Sequence, residues 1–170
     1  MGFTTVNGLP AHVLLVHFVI VLVPLAALLL VLAVCWPAAR IRLGFLVPLA
    51  ALLALILVPL TTQAGEWLEL HIVRDPLIRR HAQLGDELLV WSAAVFLLST
   101  LWWAMHSARV TRRLRPPRRH RTGARRAAIL LVAALALVAS AGSVVQVYRI
   151  GDSGAQAAWH DRASPTAGHR

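Results

Sequence analysis

Four long apolar stretches dominate the pattern of hydrophobic and polar positions along the chain. They cover Val13–Cys35, Leu43–Leu60, Leu88–Met105 and Ala127–Val145. Each is long enough to cross a hydrocarbon core of about 30 Å as an α-helix. None shows the period-two alternation of a strand, and a helix satisfies its backbone polar groups internally, as lipid requires. The pattern therefore predicts an all-α membrane protein.

Composition agrees with this class of protein. Of the 170 residues, 58% are hydrophobic and 14% are charged, whereas charged residues make up about a quarter of soluble domains. The length permits one domain. We expect a four-transmembrane-helix bundle of up-down-up-down topology over residues 1–150 and a polar extracytoplasmic tail over residues 151–170. Because Cys35 is the single cysteine, an internal disulfide, a thiolate metal cluster and c-type haem attachment are excluded.

Charge predicts the orientation of the bundle. All 17 basic residues are arginines, and 11 of them lie in the first and third connections between spans, where there is no acid. The other side carries six arginines and all seven acids. By the positive-inside rule the arginine-rich side is cytoplasmic, so both termini of this multi-pass plasma-membrane protein face outward. Anionic lipid headgroups are sufficient partners for the arginines, and we expect no nucleic-acid binding.

The outer ends of the helices carry most of the unusual polar residues. Pro10 and Asp75–Pro76 are helix-start signals; His12 and His17 follow the first, and His81 follows the second. Counted from these starts, His17 lies about 10 Å and His81 about 8 Å along two parallel helices. We therefore predict that the imidazoles of His17 and His81 meet inside the bundle near its outer face.

A pair of imidazoles at one depth fits the axial ligands of a haem b. Gly85, one turn beyond His81 on the same helix face, would leave room for a flat group beside the ring. On this hypothesis the protein is an electron-transfer subunit, with His17 and His81 as ligands and a quinone or an exported redox partner as electron donor or acceptor.

Two other hypotheses stay open. The first is a nitrogen and oxygen site for zinc or copper. Its candidate ligands are His17, His81, His12, Glu66 and Asp86. The second is a structural or partner-binding subunit of a homo- or hetero-oligomer, whose histidines only hydrogen-bond and which binds no cofactor. No phosphate loop, nucleophile–base arrangement or metalloprotease signature marks an independent enzyme.

Four segments of the chain carry a family resemblance: GLPAHVLLVHF, TTQAGEWLE, RHAQLGD and VYRIGDSGA. From about Asn7 to Trp159 the chain resembles the actinobacterial form of domain-of-unknown-function family 2231, small bacterial membrane proteins. The resemblance implies a four-helix bundle similar to cytochrome b-like bundles, and hence electron transfer. The residues that match the family's histidine motifs are His12, His17, His81 and Gly85. Val13 and Val19 replace the prolines of common members, which implies a straighter entry into the first helix.

Overall fold

The computed structural model describes residues 5–6, 8–71, 75–107 and 122–160. Within these ranges the helices are α1 (Ala11–Cys35), α2 (Pro37–Leu43), α3 (Leu46–Glu69), α4 (Pro76–His106) and α5 (Thr122–Trp159). A two-residue antiparallel pair, β1 (Thr5–Val6) and β2 (Leu9–Pro10), precedes α1. The helices α1, α3, α4 and α5 are each long and apolar enough to cross a membrane, which confirms the four predicted spans.

Proline and aspartate set the starts of α1 and α4. Pro10 directly precedes α1, where the missing N–H of its ring costs no helical hydrogen bond. At the start of α4, the Asp75 carboxylate accepts a hydrogen bond from the Leu77 N–H at 2.8 Å, and Pro76 lies in the first turn. The start signals read from the sequence are therefore confirmed to within one residue.

The four long helices form a bundle in which each packs against two neighbours. α1 packs against α3 and α5, and α4 packs against the same two helices, so α1 and α4 are diagonal to each other. His12 of α1 bonds to Thr61 of α3, and His81 of α4 bonds to Ile150 of α5. The starts of α1 and α4 therefore share one end with the ends of α3 and α5. We call this the histidine end, and the opposite one the arginine end.

Small residues fill the interior of the bundle and large apolar residues face outward. Ala26, Ala51 and Ala136 are at most 1% exposed, and such small side chains let helix backbones approach closely. Leu97 and Leu130, in contrast, are 64% and 70% exposed. This distribution suits lipid, whose acyl chains solvate large apolar side chains, and not water. The protein is therefore an integral, multi-pass membrane protein.

Arg40 joins α1 to α4 at the arginine end. Its guanidinium donates to the carbonyls of Ala33 at 2.8 Å and Val34 at 3.0 Å, which belong to the last turn of α1 and lack helical partners. It also lies 4.9 Å from the ring centroid of Trp102, and the Trp102 indole N–H donates to Ala33. Most arginines of the third connection lie in residues 108–121, outside the described residues. The cytoplasmic placement of this end stays a prediction.

The last helix extends well beyond its apolar stretch. That stretch ends at Val145, but α5 continues to Trp159, about 20 Å further at the usual helical rise. Residues 151–159, which the sequence indicated as the start of a polar tail, are therefore helical; residues 161–170 lie outside the described part. Because the extension packs against the first turns of α4, tertiary contacts support a helix that its small polar residues do not predict.

Candidate functional site

A cavity of about 370 Å³ lies at the histidine end of the bundle. Its walls are the first turns of α1 and α4 and the last turns of α3, with Ile150 of α5 completing them. The buried residues in its lining are Val19, Val58, Thr61 and Leu88. Glu66, Gln83 and Asp86 line the cavity and are exposed, so it opens to the surface between α3 and α4.

His12 lies on one side of this cavity and is fixed by α3. Its Nδ1 lies 3.0 Å from the backbone carbonyl oxygen of Thr61. Because a carbonyl only accepts, Nδ1 carries the proton and donates, and Nε2 of the neutral ring keeps a free lone pair. The half-buried His12 ring is therefore held in one tautomer by the neighbouring helix.

His81 lies on the other side and is fixed in the same way by α5. Its Nδ1 lies 3.0 Å from the carbonyl oxygen of Ile150 and 3.1 Å from Oγ of Ser153. The Ser153 hydroxyl in turn donates to the Ile150 carbonyl at 2.9 Å, so its oxygen is the acceptor for Nδ1–H. The neutral His81 ring also keeps its Nε2 lone pair.

A glycine in each supporting helix makes room for the imidazole. A β-carbon at Gly65 of α3 would lie 2.9 Å from Nδ1 of His12, and one at Gly154 of α5 would lie 3.0 Å from Cε1 of His81. Gly65 is four residues after Thr61, and Gly154 is four residues after Ile150. Each histidine thus bonds to a helix carbonyl, and the residue one turn after that carbonyl is a glycine that lies beside the ring. We call each such pair of carbonyl and glycine a histidine notch.

The two notched imidazoles face each other across the bundle. The ring centroids of His12 and His81 are 6.2 Å apart, with an angle of 89° between the ring planes. Since α1 and α4 are diagonal, the space between the rings is the interior of the bundle and is continuous with the cavity. The site therefore brings two half-buried imidazoles from two helices to one small volume.

His17 does not take part in this arrangement, contrary to the predicted His17–His81 pair. Its side chain is exposed, and its Nδ1 bonds to the Val13 carbonyl of its own helix at 2.6 Å. Two reasons explain the difference. His12 and His17 are about 140° apart around α1, so one of them faces away from the interior. In addition, α4 begins about four residues, or 6 Å, further out than α1. Two residues that are equally far from the starts of α1 and α4 therefore lie at different depths in the bundle.

The remaining predicted site residues line the same cavity, two of them at its rim. Gly85 leaves space, because a β-carbon there would come no closer than 3.8 Å to Thr62. Glu66 and Asp86 lie at the exposed rim, together with Glu69. Among the described residues, no three or more His, Cys, Asp or Glu side chains are grouped to hold a metal ion. A zinc or copper site built from His12, His81 and these carboxylates therefore gains no support.

The sequence interpretation missed Gly65, Ser153 and Gly154. A signal was present, because glycine inside a helix costs up to about 1 kcal/mol relative to alanine and calls for a reason. A buried amide nearby was missed as well: Gln146 donates to the Leu84 carbonyl at 2.8 Å and to the Glu87 carboxylate at 3.0 Å. It fixes the register of α4 and α5 just below the His81 notch.

Comparison with known proteins places these features in a family. A model of predicted membrane proteins, DUF2231, matches residues 8–167, nearly the whole chain. The chain belongs to the DUF2231 family. No curated protein and no solved structure matches it. In this DUF2231 member the matched range includes both histidines and both notches, from His12 to Gly154. The family description specifies a membrane protein.

Proposed function

We propose that this DUF2231 protein binds one haem b between His12 and His81 and serves as a membrane electron-transfer subunit. The observation that carries the proposal is the pair of neighbouring imidazoles, each bonded through Nδ1 to a helix carbonyl and neither bonded through Nε2 to any residue that the structure describes. Histidines that ligate a metal commonly donate their other ring N–H to a backbone carbonyl, which fixes the tautomer and raises the basicity of the ligating nitrogen.

The separation of the rings fits a shared metal centre. Two imidazoles that shared one metal ion, with metal–nitrogen distances of about 2 Å, would have ring centroids within about 6 Å of each other. The rings of His12 and His81 are 6.2 Å apart. A bare ion would need further protein ligands, which the described residues do not group here, whereas a haem supplies its own four nitrogens. The donor set therefore fits a haem better than zinc or copper.

The cavity lining fits a flat, mainly apolar cofactor, whereas the carboxylates at the opening oppose an acidic edge on that cofactor. Its deep part is apolar, Gly85 adds no side chain, and its volume lies within the range of small-molecule sites. Glu66, Gln83 and Asp86 are exposed at the opening, so a larger ligand would extend to the surface between α3 and α4. Arg79 is the cation in the described lining and would pair with a cofactor carboxylate.

Haem, when bound, supplies one-electron redox chemistry. The protein's own contribution is to hold both imidazoles in one tautomer, to surround them with apolar side chains and to open the site at one end of the bundle. At the predicted outer end, such a site is accessible to a quinone in the bilayer or to an exported redox protein.

An optical spectrum of the purified protein tests the proposal. After expression with added haem, the reduced-minus-oxidised difference spectrum of the detergent-purified protein is expected to show a Soret band and an α band. Pyridine haemochrome analysis is expected to give one haem per chain. A protein that is helical by circular dichroism but has no Soret band after haem supplementation would refute the proposal.

The same hydrogen bonds support a second candidate function, a bundle subunit without a cofactor. His12 links α1 to α3, and His81 links α4 to α5, so both rings serve as ties between helices in any case. Under this alternative, loss of either histidine lowers stability and changes no spectrum. The two candidate functions differ in whether Nε2 of each ring binds a cofactor. The variants considered in the Discussion separate the two functions.

A further inference from the structure

We infer that Gly65 and Gly154 are the positioning residues of the histidine pair, and that the two histidine notches orient both Nε2 atoms toward a shared ligand. The ligand-binding part of this inference rests on the proposed haem function. The orientation of the rings does not, because it follows from contacts within the protein. Neither glycine contributes a side-chain atom to the site, so the role of each lies in the contact that it permits.

The two notches are built alike, although they lie in different helices. In an α-helix the carbonyl of a residue points along the axis toward the residue four positions later. An imidazole that bonds to such a carbonyl must therefore pass over the β-position of that later residue. At Thr61 and Ile150 that residue is Gly65 and Gly154, respectively. Replacement of either glycine by any other residue places a β-carbon where the ring now lies.

The contact distances show that an alanine at either position would crowd the imidazole beside it. Carbon atoms of packed side chains approach to about 3.5–4.0 Å. At Gly65 the added β-carbon would be 2.9 Å from Nδ1 and 3.0 Å from Cε1 of His12. At Gly154 it would be 3.0 Å from Cε1 and 3.2 Å from Nδ1 of His81. We expect the ring to shift away from the added β-carbon, which weakens its carbonyl bond and turns Nε2 as well.

The presence of a histidine notch on both sides of the cavity indicates a ligand. One such notch would be sufficient to tie two helices together. Two of them place two rings 6.2 Å apart from diagonal helices, with both Nδ1 atoms turned outward to the supporting helices. The rings cannot satisfy each other through nitrogens that both lack a proton, so the pair is complementary to a group that accepts two lone pairs.

The test compares Gly65→Ala and Gly154→Ala with Gly151→Ala. Gly151 lies in the same stretch of α5 as Gly154, but a β-carbon there would meet nothing within 4 Å. Alanine favours a helix over glycine, so a loss at the notches is not a propensity effect. In haem-loaded protein, Gly65→Ala and Gly154→Ala are expected to weaken haem affinity by about 10–100-fold, the usual effect of losing a ligand's supporting contact, and Gly151→Ala to leave it unchanged.

Nitrogen-15 NMR of histidine-labelled protein without haem separates this inference from the proposed function. Wild type and Gly151→Ala are expected to show His12 and His81 as fixed Nδ1–H tautomers, and each notch variant to lose that signature at its own histidine. Loss of the signature in the notch variants, together with a wild type that keeps it but binds no haem, supports the positioning role and refutes the haem function. If Gly65→Ala and Gly154→Ala keep both tautomers and wild-type haem affinity, the inference is wrong.

Discussion

Replacement of His12 or His81 by asparagine is expected to abolish the haem difference spectrum or to weaken haem binding by about 100-fold or more. The asparagine amide can occupy the position of Nδ1 and still donate to the Thr61 or Ile150 carbonyl. It has no counterpart of Nε2. The variant therefore removes the proposed ligand atom and keeps the tie between helices. Difference spectra and haem titrations of purified variants, normalised to protein, measure the effect.

His17→Ala is the matched control for these variants. It lies five residues from His12 on the same helix, is exposed and bonds to its own helix. We expect it to keep the wild-type spectrum. If His17→Ala loses the spectrum while His12→Asn keeps it, the pair first predicted from the sequence is the functional one. If all three variants keep it, no haem is bound by these histidines.

Gly142→Ala is expected to cause the largest loss of stability among single glycine replacements. A β-carbon at Gly142 of α5 would overlap the six-membered ring of Trp91 on α4. Trp91 is half-buried and packs against the core of the bundle, so its ring or the α5 backbone must move to admit the β-carbon. Overpacking of this kind typically costs about 1–3 kcal/mol, and backbone displacement adds to it. Unfolding in mixed detergent micelles, followed by circular dichroism, measures the change.

Gly123→Ala provides the control for that experiment. Gly123 lies in the first turn of α5, and a β-carbon there would meet nothing within 4 Å. Its replacement is expected to be neutral or to stabilise the helix slightly. The combination of Gly142→Ala with Trp91→Leu should recover much of the loss, because the two residues share one contact. Wild-type stability of Gly142→Ala would show that the Trp91 contact does not position α5.

The spans could be predicted because the bilayer fixes their length and their composition. The stretch from Leu88 to Met105, for example, needed no knowledge of its neighbours to be read as a helix. The extension of α5 past Val145 could not be predicted in this way. Its residues lack a continuous apolar face, and the helix depends on contacts with α4, such as the His81–Ile150 bond.

The cavity lies at the end of the bundle where the sequence placed the candidate site, but the histidine close to His81 is His12 and not His17. Histidines at the starts of two parallel spans indicated this end of the bundle. The choice between His12 and His17 depended on which face of α1 points inward and on the different heights at which α1 and α4 begin. The notches depend on which carbonyl of α3 or α5 lies opposite each ring. These features depend on how the helices pack against each other, and the hydrophobic pattern of the sequence does not specify that packing.

Low-temperature electron paramagnetic resonance of the oxidised, haem-loaded wild type tests the central claim most directly. A haem iron held by both His12 and His81 would be expected to give a low-spin signal. The signal should convert to a high-spin one in His81→Asn. A high-spin signal in the wild type, or a low-spin signal that survives both His12→Asn and His81→Asn, would contradict the account.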